Sequence, residues 1–153
     1  MKMPPFVRSL VCSAATVLFL AGCADVEPAA SVGREHSAPG KALVVFYRED
    51  HVLGSPFGFN VCDQFAKIGG LKNGSYFAYQ TDPGQHYFSA TTEVTNTLVM
   101  RVEAGCTYYV RGYVRPGVVA ARPVLEQVSR AEGSSAIGGL EKVTLRPQPK
   151  RKY

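Results

Sequence analysis

Residues 97–114 read TLVMRVEAGCTYYVRGYV, and their alternation decides the fold. Over residues 97–103, Leu98, Met100 and Val102 fall on one face, while Thr97, Arg101 and Glu103 fall on the other. A period of two with one apolar face is the signature of a half-buried strand. Ala104-Gly105 supplies a turn, and the chain resumes the same period over residues 106–114. There Tyr108, Val110, Gly112 and Val114 share one face, opposite Tyr109, Arg111 and Tyr113.

Working outward, short runs rich in Val, Tyr, Phe and Thr recur between turn signals at intervals of roughly 8 to 12 residues, the spacing of an all-β sandwich. Strands are expected over 42–48, 58–65, 66–71, 75–80, 86–92 and 118–128, with 49–57 as a loop. Asn73-Gly74 is a two-residue hairpin signal, because a type I′ turn needs positive φ at both central positions. Asp82-Pro83-Gly84 and Pro116-Gly117 supply further turns, Pro by presetting φ and Gly by tolerating any φ. Pro123 marks the last strand as an edge or a bulge. Ser129 and Glu132 have capping-box spacing for a helix, which Gly133, Gly138 and Gly139 should keep short. The fold expected is a small antiparallel β-sandwich over 41–132, ending in a short helix, with 133–153 as a basic, disordered tail.

The N-terminus carries an address. Lys2 and Arg8 precede an apolar run from Leu10 to Leu20 that is too short for the ~20 residues of a membrane span. Leu20-Ala21-Gly22-Cys23 then resembles the lipobox of bacterial lipoprotein signal peptides. That resemblance implies removal of 1–22, a lipidated Cys23 as first mature residue, and stable anchoring by its acyl chains. Ala24 rather than Asp follows the cysteine, which favours the outer membrane, facing the periplasm. Residues 23–40, rich in Ala, Pro, Ser and Gly and without periodic apolar pattern, read as the lipidated Cys and a flexible tether.

At Tyr47-Arg48, Lys72-Asn73-Gly74-Ser75-Tyr76-Phe77, Pro83-Gly84-Gln85-His86, the segment from Val102 to Val110 and Arg122-Pro123-Val124-Leu125-Glu126, the chain resembles a bacterial lipoprotein family known as a domain of unknown function. The family is similar to PEGA-type, immunoglobulin-like β-sandwich modules. The resemblance implies fold and location, and it brings no activity or binding site. Cys106 departs from it, standing where the family more often places Lys or a similar polar residue.

Charge and cysteines bound the function. The formal charge is +5, but two of the positive charges, Lys2 and Arg8, belong to the leader. From Lys41 to Glu132 nine basic side chains meet eight acidic ones, so the excess sits in the tail with Lys150, Arg151 and Lys152. That pattern argues against nucleic acid; the tail itself is either solvated or in contact with an anionic polymer. Once Cys23 is acylated and Cys12 removed, Cys62 and Cys106 remain as a candidate disulfide in an oxidising compartment. The alternative is two buried thiols, since Cys62 is out of phase with Phe59 and Val61.

Neither a nucleophile motif nor a P-loop occurs, so no enzyme and no cofactor are expected. Glu49-Asp50-His51, with Asp82 and His86, lacks metal-ligand spacing, and no metal is expected. His86 reads as a turn-capping or surface residue. Tyr109 and Tyr113 are candidate contact residues, against the alternative that the tyrosines pair across strands. The expectation is a lipid-anchored, non-catalytic interaction or structural module with an envelope protein partner. The alternative is a carbohydrate- or peptidoglycan-binding module.

Overall fold

A computed structural model describes residues 36–52, 56, 58–92, 94–116 and 122–144. The leader, Cys23 and most of the tether lie outside the described residues, as do Lys150, Arg151 and Lys152. Eight principal strands follow in order: β1 (Ala42–Arg48), β2 (Phe59–Asp63), β3 (Ala66–Leu71), β4 (Ser75–Thr81), β5 (Gly84–Thr91), β6 (Thr95–Val102), β7 (Thr107–Arg115) and β8 (Arg122–Val128). Helix α1 (Arg130–Ala136), a 3-10 turn (Ile137–Gly139) and the two-residue strand β9 (Glu141–Lys142) complete them.

The strands form two sheets, ordered β8-β7-β1-β4-β9 and β3-β2-β5-β6. The all-β sandwich with a short C-terminal helix is therefore observed. It is not wholly antiparallel: β1 pairs with β7 in parallel, as β4 does with β9. Parallel neighbours need a long crossover, and β2 to β6, all but β4 in the second sheet, supply it between β1 and β7.

The core between the sheets explains the alternation. Phe46, Phe59, Val61, Leu71, Phe77, Phe88, Met100, Val102, Val110 and Leu125 are buried in it together. Phe46 stacks on Phe77 and meets Phe88 edge-on, each at 5.1 Å between ring centroids, a geometry that adds about 1 kcal/mol per pair beyond area burial. Gly112 lets the sheets close, because a Cβ there would lie 2.7 Å from Leu71 Cδ1 and 2.9 Å from Phe59 Cζ.

A second apolar layer lies on the other face of β1. Leu43, Val45, Tyr47 and Tyr109 are buried there, packed by Ala136, Ile137 and Leu140. Folded structure thus runs on through residue 142, and the expected boundary at 132 is corrected. The glycines that argued for a frayed helix include Gly133, which is buried against Tyr109, where a Cβ would come within 2.3 Å of the side chain. Ser129 caps α1 by accepting the Glu132 N–H at 3.2 Å. Glu132 completes no capping box and instead bonds Arg111.

Two turns differ from expectation. The β3–β4 hairpin forms at Asn73-Gly74, but only Gly74 has positive φ (68°), so it is not type I′. Instead Gln64 and Phe65, neither of them glycine, take φ of 44° and 73° and close β2 onto β3. The expected strand over 58–65 ends at Asp63 for this reason. Pro123 sits on an edge strand, as its missing N–H requires.

Candidate functional site

Strand β1 stops at Arg48, whereas β7 beside it continues past Arg111, the partner of Tyr47, to Arg115. The overhang and the segment after β1 leave a cleft of about 420 Å³ lined by Arg48, Glu49, His51, Val52, Arg111, Tyr113 and Val114. Its rim is tied down by the neighbouring turn: Asn73 Oδ1 accepts the His51 N–H at 3.1 Å, and Asn73 Nδ2 donates to Asp50.

The cleft mixes apolar and charged surface, and its charges are largely matched. Arg48 is 2% exposed and holds its guanidinium 5.7 Å over the Phe59 ring. Burial pushes its pKa down from the ordinary arginine value. Arg111 donates to Glu126 at 3.0 Å and to Glu132 at 3.1 Å. The Glu126 bond raises the Arg111 pKa, against the opposing effect of burial. The ring of Tyr113 lies under two guanidiniums, those of Arg111 at 5.7 Å and Arg115 at 5.4 Å, and its hydroxyl accepts from Arg115 at 2.8 Å. Behind Arg111, Tyr47 is fully buried, and burial followed by the Glu132 charge raises its phenol pKa. Neither Tyr47 Oη nor Arg111 Nε has a hydrogen-bond partner among the described residues.

At the opposite end of the sandwich lies a buried polar cluster that reading the sequence missed. His86 is 8% exposed, not a surface residue. Its Nδ1 lies 2.8 Å from Asp63 Oδ2 and its Nε2 lies 2.9 Å from the Asp82 carbonyl oxygen. Tyr79 Oη also donates to Asp63 Oδ2, at 3.1 Å, and burial is the main cause of the raised Tyr79 pKa. The ring of His86 stacks on Phe88 at 5.5 Å. The signal was available, since His86 shares its strand face with Phe88 and Ala90. The cluster braces the turns after β2 and β4, and both ring nitrogens face protein oxygens.

The other candidates separate. Tyr113 lines the cleft, but Tyr109 is 9% exposed and lies beneath α1, so it is corrected from contact residue to core. His51 and His86 stand at opposite ends of the sandwich and cannot share an ion. No disulfide joins Cys62 and Cys106, both of which are half-buried thiols. Cys62 faces outward with Asn60 from the second sheet, and Cys106 stands at the entrance to β7 in the first. In the structure they are separate thiols, the alternative that the phase of Cys62 left open. No helix among the described residues is long and apolar enough to cross a membrane.

Fold and cleft together define a small β-sandwich module with a cleft of mixed apolar and charged lining at one end. An uncharacterized protein of Haemophilus influenzae is 31% identical to it over 146 residues, covering 88% of this chain and 86% of that protein, and the chain belongs to that protein's family. No protein-family model matches the chain, and no solved structure matches it.

Proposed function

We propose that the protein is a lipid-anchored lipoprotein of the bacterial cell envelope, held on the outer membrane and facing the periplasm, and that it acts as a non-catalytic interaction module. The observation that carries this reading is the polarity of the sandwich. The chain arrives at the start of β1, where Gln80 accepts from Ala38 N at 3.1 Å and donates to the His36 carbonyl at 3.3 Å. The cleft lies where β1 ends, about 20 Å away for a strand of this length. A chain anchored through Cys23 would thus present the cleft away from the membrane.

Mixed donors and acceptors beside an aromatic ring suit a polar protein segment. They also suit the second reading, a carbohydrate or peptidoglycan ligand, which Tyr113 with its flanking guanidiniums favours. The test is paired. Cys23→Ser should shift the protein out of the membrane fraction, and a photo-crosslinker at Tyr113 should trap an envelope protein in intact cells. Retention of Cys23→Ser in the membrane at wild-type level contradicts the anchor. Crosslinks to glycan alone select the second reading.

A further inference from the structure

The turn between β2 and β3 combines two features that the core does not need. Gln64 and Phe65 occupy the left-handed region disfavoured for residues with a Cβ, and the Phe65 side chain is fully in solvent, at 102% relative exposure. The turn is held there: Gln64 N donates to the Tyr87 carbonyl at 3.3 Å, and Asp63, the residue before it, is fixed by His86. Tyr87 and its cross-strand partner Val99 are 47% and 51% exposed on the outer face of the same sheet. Exposed Lys67 and Arg101 belong to that face, opposite Cys62 and Gln85 respectively.

This apolar corner lies at the end where the chain enters the fold. A short relay of contacts links the two: Lys41, just before β1, bridges Asp82 at 2.6 Å; the Asp82 carbonyl meets His86; and His86 meets Asp63. His36 comes only thirteen residues after Cys23, a reach of at most about 45 Å.

We propose that this corner rests on the bilayer that holds the anchor, with Phe65 inserted at the interface, Tyr87 and Val99 against the headgroup boundary, and Lys67 and Arg101 beside lipid phosphates. Aromatic rings favour that boundary, and basic side chains favour an anionic surface. The inference rests on the lipid-anchor reading. It gives the domain a fixed orientation, with the cleft at the outer pole.

The chain has no tryptophan, so Phe65→Trp and Val52→Trp each introduce a single reporter. Val52, 97% exposed beside the cleft, is the control. The full acylated chain is reconstituted into vesicles of phosphatidylethanolamine and phosphatidylglycerol at 3:1, with and without doxyl-labelled lipid. The expected result is a blue-shifted Phe65→Trp emission, quenched by doxyl lipid at least twofold more than the Val52→Trp emission. A chain that floats with the vesicles while both reporters remain water-like overturns the membrane-contact proposal and leaves the anchor standing. A chain that does not float overturns both. A blue shift that depends on protein concentration and is not quenched by doxyl lipid assigns the corner to a second copy of the chain and also overturns the proposal.

Discussion

Asp63 shows how much one side chain holds. Its Oδ2 serves both His86 and Tyr79, while Oδ1 is buried without a hydrogen-bond partner among the described residues. Asp63→Ala would strand the imidazole and the phenol in a buried site, and each buried polar group left unsatisfied costs about 1 to 3 kcal/mol. Lys41→Ala would remove only an ion pair whose side chains are 42% and 78% exposed, for which about 1 kcal/mol or less is expected. Urea denaturation of the two variants should therefore separate them clearly; equal midpoints would contradict the importance given to the cluster. The faces of these residues were readable, Asp63 aligning with Phe59 and Val61 and His86 with Phe88 and Ala90. Their meeting was not, because it depends on the register between β2 and β5 and on a turn at Gln64-Phe65 that carries no glycine.

The decisive element is the C-terminal cover of α1, the 3-10 turn and β9. All seven residues of β1 are buried, which marks a strand covered on both faces. The run Ala42–Arg48 lacks alternation for the same reason, a hint of a second layer that glycine-based reasoning about residues 133–139 concealed. Glycine at 133 is a packing requirement against Tyr109 rather than a sign of fraying. Ending the chain after Thr144 is expected to leave the unfolding midpoint unchanged. Ending it after Val128 uncovers Leu43, Val45, Tyr47 and Tyr109. At roughly 2 kcal/mol for each large apolar side chain, that loss is comparable to the whole stability of a typical domain, about 5 to 15 kcal/mol. The shorter chain should lose its cooperative transition in far-ultraviolet circular dichroism. A native-like melt from it would show that the cover is dispensable.

Over the whole molecule, strand periodicity and turn chemistry were enough to read the sandwich, whereas the cleft depended on the unequal lengths of two parallel neighbours distant in sequence. The tyrosines belong to this scale because they are distributed through both layers. Burial is the first cause of a raised pKa at Tyr47, Tyr79, Tyr108 and Tyr109. In the unfolded chain these phenols ionise near pH 10, whereas in the fold they hold their protons to higher pH. Above about pH 10 the unfolded state therefore binds fewer protons than the native state, and stability falls as pH rises. Their contribution is fully present below that pH and is lost as the pH climbs through the folded values. Denaturation midpoints should change little on this account between pH 8 and 9.5 and drop at pH 11, with phenolate absorbance near 295 nm appearing together with unfolding. If the absorbance at pH 11 develops fully while the midpoint holds, the phenols ionise within the native fold, and the burial assigned to them as a group is wrong.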